Sequence, residues 1–475
     1  MKRPKQIFSI FRSLLLGILL LFIILVLSLD FFSREEEKKD ALHRIRERGV
    51  LIAMADKNTL DYFIYRGSPM GYHLSLLESF SKFLGVNFRV IVCKDISKQY
   101  YYLENNAVDL IAFSIPVTWE GKRRVHYSEP LGKARLVLVQ RRPVTSNGSE
   151  PKYITSLKDF SGDTVVVRQN DFMEPIYRSV ERSAGRKVVL KEVQGVSNED
   201  LVAGVSDGKI SYTLCQEELA AVLKQHYENI DISLAVSSAY DYGWCVNRNS
   251  DSLLTIINSW LSDEATGKEL RRSNSEIFHN QRIAGFFNSD FFSVTGGRLS
   301  PYDFEFKNLS NLVRWDWRLL ASLVYEESNF HQGKISERNA TGLMQLMPDI
   351  AEKYGVDSSS TPLQQISAGV KYLKYLDHLL PEEILSPIER INFVLASYNV
   401  GIGRILSARE KAVKYGRDPN KWNGGVDYYL LRRSKNEPNY KPDTTLFIQD
   451  YKTEGFVDNI LSRYYHYRNL YKESE

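Results

Sequence analysis

Two hydrophobic periodicities divide this chain into an early and a late part. Up to residue 287, short apolar and β-branched runs alternate with stretches in which apolar residues recur every three or four positions. Runs of the first kind predict buried strands, and stretches of the second kind predict amphipathic helices. The predicted strands are 50–56, 88–94, 108–115, 135–142 and 163–169, and the predicted helices are 74–85, 200–208 and 252–267. Alternating strands and helices predict an α/β region with mostly parallel sheets.

The pattern changes at residues 286–303, which are rich in Gly, Ser and Pro and have no sustained period. Beyond them only the helical spacing remains. A chain of 475 residues is also too long for one ordinary hydrophobic core. We therefore predict a multidomain protein with an α/β domain at 41–287, a linker at 288–302 and a mainly α-helical domain at 303–475.

The first 33 residues predict a membrane anchor. A basic start is followed by residues 13–29, which are uncharged and almost wholly apolar, and Phe31 and Phe32 extend this run beyond Asp30. At about 1.5 Å per residue, the run is just long enough to cross a bilayer core of roughly 30 Å. Positive charge before the run predicts a cytoplasmic start and an exported remainder. A cleaved signal peptide is the alternative, although no A-x-A-like site follows.

Charge and cysteine usage exclude several classes of function. The 62 Lys and Arg nearly balance the 58 Asp and Glu, and the net charge of +4 predicts no nucleic-acid partner. The three cysteines, Cys93, Cys215 and Cys245, lie in apolar, strand-like contexts and have no metal-ligand spacing. We expect them to be small buried side chains, and we expect neither a metal nor a cofactor.

Two adjacent carboxylates, Glu326 and Glu327, end an apolar helical run in the late part. Helical geometry places one carboxylate beside the apolar face and turns the other about 100° away, towards solvent. The apolar face is formed by Leu319, Leu320, Leu323 and Val324, with Glu327 beside them. A carboxyl group desolvated by apolar neighbours has a raised pKa and can act as a general acid. A solvated glutamate that simply ends the helix is the alternative.

Three later motifs narrow the interpretation. Residues 339–348 read NATGLMQLMP, residues 367–373 read SAGVKYL, and residues 396–403 read ASYNVGIG. In this order after Glu327-Ser328, they resemble the signature of soluble-lytic-transglycosylase-type domains over roughly residues 300–470. The resemblance implies a lysozyme-like, mainly helical fold. Where this family usually has Tyr before Val in its last helix, the chain has Phe456.

The same resemblance implies residue roles and a reaction. Glu327 is expected to be the catalytic acid/base. Residues expected to bind substrate are Ser328, Gly342, Met344, Gln345, Tyr398 and Asn399. The implied reaction cleaves the β-1,4 bond between N-acetylmuramic acid and N-acetylglucosamine in peptidoglycan and leaves a 1,6-anhydro end. A hydrolytic muramidase and a non-catalytic envelope sensor of wall fragments are the alternatives.

The α/β region resembles family 3 periplasmic solute-binding proteins, whose two lobes close around amino acids. Two positions depart from that family: Gly121 stands where an Arg clamps the ligand carboxylate, and Gln216 stands where an Asp meets the ligand amine. These departures argue against amino-acid uptake. A regulatory domain that binds a muropeptide or an amino-acid-like ligand is expected instead. The expected location is the cell envelope, periplasmic and attached to the inner membrane, while the resemblance also implies outer-membrane association.

Overall fold

The computed structural model describes residues 40–93, 98–143, 152–169, 172–185, 187–263, 266, 285–431 and 444–471, except for the side chains of 431 and 444–454. The chain divides into two compact units, an α/β unit (Met1–Asp56 and Ser75–Glu276) and a helical unit (Lys57–Leu74 and Ile277–Glu475). The predicted anchor at 13–32 lies outside the described residues. None of the helices in the described ranges combines the length and the hydrophobicity that a bilayer span requires.

Thirteen strands are found among the described residues, and they correspond closely to the early periodicity. They are β1 (Val50–Ala55), β2 (Phe63–Tyr65), β3 (Ser68–Met70), β4 (Asn87–Val92), β5 (Leu110–Pro116), β6 (Val125–Tyr127), β7 (Gly132–Ala134), β8 (Leu136–Arg141), β9 (Asp163–Arg168), β10 (Val188–Val193), β11 (Tyr212–Gln216), β12 (Ile230–Asp231) and β13 (Tyr240–Asn247). All belong to the α/β unit except β2 and β3, which form a hairpin in the helical unit.

The α/β unit has two lobes, each built on its own sheet. The first sheet has the order β4-β1-β5-β13-β6, with β7 also paired to β13, and the second has the order β10-β9-β11-β8-β12. The prediction of mostly parallel sheets is wrong, because β13 runs antiparallel to β5, β6 and β7, and β8 runs antiparallel to β11 and β12. Strand–helix alternation predicts the direction of strands joined through a helix. It does not predict β8, which follows β7 without a helix, or β13, which pairs with β5 far earlier in the chain.

Helices cover these sheets, and apolar side chains fill the space between. In chain order they are α1 (Ala41–Arg48), α2 (Tyr72–Leu84), α3 (Gln99–Glu104), α4 (Trp119–Lys122), α5 (Glu174–Ser183), α6 (Asn198–Ser206), α7 (Glu217–His226) and α8 (Asp251–Leu261). One buried cluster includes residues of both sheets. Cys93, Cys215 and Cys245 are all buried free thiols, which confirms that prediction.

The helical unit contains α9 (Asp303–Leu309), α10 (Trp317–Ser328), α11 (Pro348–Lys353), α12 (Pro362–Leu379), α13 (Pro387–Val400), α14 (Ile402–Lys414), α15 (Asp427–Leu431) and α16 (Thr444–Leu470). Local sequence explains where several of them begin. Asp316 caps α10, Thr361 forms a capping box with Gln364 at α12, and Ser386 caps α13. α11, α12 and α13 each have Pro in the first turn, where no hydrogen bond is lost.

The β2–β3 hairpin is the feature that the sequence did not reveal. Tyr62, Phe63 and Ile64 are at most 1% exposed. The Tyr62 hydroxyl lies 2.8 Å from Nδ1 of His466, and the Tyr467 hydroxyl donates to the Gly67 carbonyl at 2.8 Å. The hairpin therefore belongs to the hydrophobic core of the helical unit, although the chain on either side of it builds the α/β unit.

Candidate active site

Glu327 lies in the last turn of α10, and its neighbours raise its proton affinity. The apolar face predicted for this helix is confirmed, since Leu319, Leu320, Leu323 and Val324 are all buried. The pKa of Glu327 is raised to about 8, chiefly because burial disfavours the charged carboxylate; the Lys334 ammonium opposes this rise, and the adjacent Glu326 carboxylate contributes to it. A carboxyl group with this pKa is protonated at neutral pH and can donate its proton.

Lys334 connects the loop after α10 back to that helix. Its Nζ donates to the backbone carbonyl of Glu327 at 2.6 Å. The helix ends at Asn329, whose left-handed conformation (φ 52°) turns the chain into this loop. Lys334 therefore holds one of the last carbonyls of α10 and places a positive charge near the carboxyl group. Nothing in the local sequence pattern distinguishes Lys334 from an ordinary surface lysine, so its role is visible only in the structure.

Glu326 is not the solvated charge that the helical phase predicted. Its side chain is 20% exposed, Oε2 pairs with Arg463 at 2.6 Å, and Oε1 accepts from Asn459 at 3.1 Å. Both partners belong to α16, which packs against α10. The prediction was wrong because helical phase assigns this face of α10 to solvent and does not show that another helix packs against it. This carboxylate is already engaged, so it is no second acid or base for Glu327.

The segment 341–346 forms a tight turn in which side-chain amides satisfy backbone groups. Gly342 has a φ of 80°, and a Cβ there would overlap the amide of Gln365. The Gln365 carbonyl oxygen accepts from the backbone N–H of Leu343 at 2.8 Å, and Nε2 of Gln345 donates to the carbonyls of Lys334 and Gly342 at 2.9 Å each. Gly342 is thus required for the turn itself. Gln365, 4% exposed on α12, is a supporting residue that the motifs did not reveal.

Tyr398 links α13 to this turn. Its hydroxyl donates to the carbonyl of Met344 at 2.6 Å, and burial raises its pKa well above the usual range, to which the nearby Glu327 charge contributes. The structure thus brings Tyr398, Met344 and Glu327 together. Asn399 follows on the exposed side of the last turn of α13, and the helix ends at Gly401, which has a φ of 88°.

Two predicted substrate-binding residues are buried. The Ser328 side chain is 1% exposed, and its hydroxyl donates to the Val324 carbonyl at 3.0 Å. Met344 is also 1% exposed and belongs to the main hydrophobic cluster. Both side chains pack beneath the site in this structure. Their contact with substrate stays a prediction. Phe456, where the related family has Tyr, packs into the same cluster. No group of residues suited to hold a metal ion occurs in the described part of the chain.

In the α/β unit, the two positions that depart from amino-acid binders have other partners. Gly121 is buried, and a Cβ at this position would overlap the Tyr127 hydroxyl. Nε2 of Gln216 donates to the Tyr240 hydroxyl at 3.4 Å.

An ion pair between Asp56 and Arg168 joins the two lobes of the α/β unit. Arg168, at the end of β9, donates to both carboxylate oxygens of Asp56, just after β1, at 2.7 and 3.1 Å. The Arg168 and Asp56 side chains are 16% and 9% exposed.

Comparison with known protein families identifies the class of domain to which the helical unit is similar. Residues 306–422 match the family model described as Transglycosylase SLT domain. This range includes Glu327 and every residue predicted to bind substrate. The resemblance to soluble-lytic-transglycosylase-type domains is therefore confirmed.

The particular relatives extend the similarity over nearly the whole chain. They carry the name membrane-bound lytic murein transglycosylase F. One from Pseudomonas fluorescens is 29% identical over 81% of this chain and 78% of its own length. One from Desulfosudis oleivorans is 25% identical over 94% and 96%, and one from Aliivibrio fischeri is 26% identical over 93% and 87%.

Solved structures similar to this chain include solute-binding proteins. Holo ArgBP from T. maritima is 22% identical, covers 48% of this chain and 93% of its own, and has a TM-score of 0.40. The cysteine-binding protein from Campylobacter jejuni is 15% identical, covers 51% and 94%, and has a TM-score of 0.44.

Proposed function

We propose that this chain is a lytic murein transglycosylase that cleaves peptidoglycan between N-acetylmuramic acid and N-acetylglucosamine and leaves 1,6-anhydro ends. The observation that carries the proposal is the half-buried Glu327 carboxyl group, with a pKa raised to about 8, inside the matched transglycosylase domain. Its proton is available at neutral pH, where an ordinary glutamate is ionised.

One carboxyl group is enough for this reaction. Glu327 gives its proton to the glycosidic oxygen as the bond to C1 breaks. The carboxylate then takes the proton of the C6 hydroxyl, whose oxygen bonds to C1 and closes the anhydro ring, so that Glu327 ends protonated as it began. An ordinary glycosidase needs a second carboxylate as nucleophile or base. Here the C6 hydroxyl belongs to the same sugar and has a high effective concentration.

The surrounding contacts support this assignment. Glu326 is held by Arg463, so it does not compete for the substrate proton. Lys334 and Tyr398 fix the backbone on two sides of Glu327, the first through the Glu327 carbonyl and the second through the Met344 carbonyl. A side chain that is positioned before substrate arrives loses less entropy in the transition state.

The test is product mass after digestion of purified peptidoglycan. Anhydro closure gives fragments lighter by one water than those of a hydrolytic muramidase, which is the alternative activity. We expect anhydro products from the wild type and a loss of about 10²- to 10⁴-fold in rate for Glu327→Gln. Glu326→Gln is the matched control and should retain most of the activity. Unchanged rates for Glu327→Gln would contradict the assignment of catalysis to Glu327, and no cleavage by the wild type would favour the non-catalytic sensor.

For the α/β unit we propose a regulatory ligand-binding role rather than amino-acid uptake. Support comes from the Tyr127 hydroxyl, which occupies the space of a side chain at residue 121, and from the Asp56–Arg168 pair between the lobes. A guanidinium already bound to a carboxylate must be released before it can clamp a ligand carboxylate. Calorimetric titration should show no heat with free amino acids, while purified muropeptides should bind. Micromolar binding of a free amino acid would contradict the proposal.

We also propose the anchor and the envelope location from the sequence. Residues 13–29 are almost wholly apolar and follow a basic start, and the relatives are named membrane-bound. An inner-membrane anchor predicts that the mature chain keeps its first residues and sediments with inner-membrane vesicles after a carbonate wash. Cleavage near residue 33, or sedimentation with the outer membrane, would replace it with the signal-peptide or outer-membrane alternative.

A further inference from the structure

The helical unit has a surface cavity that none of the predicted site residues line. Its volume is about 530 Å³, and it lies between the turn at 311–315, the side of α12 and one residue of α13. The lining residues that matter for recognition are Arg314, Trp315, Leu373, Lys374, Asp377 and Val394.

The cavity is separate from the Glu327 site because it uses the other side of α12. Leu373, Lys374 and Asp377 face the cavity, whereas the ring of Tyr372 lies 5.4 Å from the ring of Tyr398. At 100° per residue, Lys374 is turned about 200° from Tyr372 around the helix. A ligand in the cavity therefore contacts one face of α12, while the opposite face of α12 supports the predicted catalytic groove.

The charges that line the cavity favour an anion. Asp377 is already paired, since Nε of Arg390 donates to it at 2.6 Å. Arg314 and Lys374 are both exposed, and among the described residues neither forms an ion pair or a side-chain hydrogen bond. Two cations with no bound counter-charge attract a carboxylate, and a guanidinium can hold both of its oxygens.

The remaining lining adds apolar surface. Trp315 is half-buried and packs against the main hydrophobic cluster, and Leu373 and Val394 are buried members of it. An aromatic wall beside a cationic rim fits a short peptide with small apolar side chains and a terminal carboxylate better than it fits a bare inorganic anion.

We propose that this cavity is a second peptidoglycan-binding site, which takes the carboxylate-bearing stem peptide of a glycan strand. The inference rests on the proposed function, because that function supplies the polymer. Bound at two places, the enzyme has a higher effective concentration on the insoluble wall than on soluble fragments. Substrate capture on the wall then depends on Lys374 and Arg314, while the chemical step at Glu327 does not.

The test measures binding without turnover. The slowed Glu327→Gln chain is sedimented with glycan strands coupled to beads, before and after an amidase removes the stem peptides. We expect binding to peptide-bearing strands to be at least threefold tighter than to stripped strands. Adding Lys374→Glu and Arg314→Gln should remove most of this difference, whereas Lys371→Glu, an exposed lysine of the same helix that does not line the cavity, should preserve it.

Several results would overturn the proposal. The first is equal binding of the parent chain to peptide-bearing and stripped strands. The second is equal binding of the cavity variant and the parent to peptide-bearing strands, and the third is the same loss with Lys371→Glu. A second measurement excludes misfolding: the cavity changes in an active background must leave turnover of soluble glycan fragments unchanged. That assay also separates failures, because a wild-type chain that makes no anhydro ends contradicts the proposed function, whatever the binding shows.

Discussion

The ammonium group of Lys334 donates a hydrogen bond to the backbone carbonyl of Glu327, with 2.6 Å between nitrogen and oxygen. The same ammonium lowers the pKa of the Glu327 carboxyl group, against the larger effect of burial. One residue of the following loop thus fixes the end of α10 and sets how readily its glutamate loses a proton.

We expect Lys334→Met to move the alkaline limb of the activity profile to higher pH. Without the ammonium, the pKa of Glu327 rises above about 8, so the protonated acid persists further into the alkaline range. A shift of about one unit is expected for an opposite charge at short range. The measurement is kcat/KM between pH 5 and 10. Lys371→Met is the control, and an alkaline limb that stays in place or moves down would refute the role of Lys334.

Glu327→Gln should stabilise the protein more at pH 8 than at pH 5. The pKa of Glu327 is raised in the folded state from 4.5 to about 8, so the folded protein binds an extra proton between these values. Stability of the wild type therefore falls as pH rises through this window, by a few kcal/mol in total. The Glu327→Gln variant has no carboxyl group at this position, so its stability does not change with pH for this reason. Chemical denaturation at both pH values measures the difference, and Glu382→Gln, on the surface, should show no such trend.

Breaking the Asp56–Arg168 pair should destabilise the α/β unit. Removing one partner leaves a charge uncompensated in a largely buried place, which typically costs about 3–5 kcal/mol. Asp56→Asn and Arg168→Gln should each show that loss in urea unfolding. The double variant should lose less than the sum of the two, because the second change removes the stranded charge. Strict additivity would mean that the two side chains do not interact in solution.

Gly67→Ala should destabilise the helical unit more than Gly85→Ala destabilises the α/β unit. Both glycines have positive φ, 82° and 72°, so both variants have the backbone cost of about 1–2 kcal/mol. Only at Gly67 would the new Cβ meet other atoms, 2.6 Å from the Tyr325 ring and 2.7 Å from the Phe330 ring. We expect about 1–3 kcal/mol more for that overlap. Equal shifts in Tm would show that the hairpin is loosely packed.

Sequence periodicity predicted what depends on neighbours along the chain. The phase of α10 placed Glu327 beside its apolar face, and the structure confirms that this carboxyl group is desolvated. The same phase misjudged Glu326, because Arg463 comes from a helix more than a hundred residues later. Gln365 escaped notice for a similar reason: its bond to the Leu343 N–H depends on tertiary packing, and no local pattern predicts it.

The lobes of the α/β unit show the same limit. The resemblance to family 3 solute-binding proteins identified Gly121 and Gln216 as departures, which shows only which side chains are missing. It did not reveal that Asp56 and Arg168 meet across the lobes, since they lie 112 positions apart and the sequence around each gives no sign of the contact. Contacts between distant strand ends depend on how the sheets are assembled, which periodicity does not describe.

Because of the β2–β3 hairpin, a single cut in the chain cannot separate the two units. The chain leaves the α/β unit after Asp56, contributes Lys57–Leu74 to the helical unit and returns at Ser75. A gene fragment that begins at residue 277 would encode every predicted site residue but lack the hairpin that contacts Tyr325, Phe330 and Tyr467. Such a fragment would have a cavity in its hydrophobic core where the hairpin normally packs. Low activity of the fragment could then result from this defect, and it would not show that the missing α/β unit regulates the enzyme. A sound dissection of this protein must therefore supply the hairpin, either as a graft or as a separate peptide.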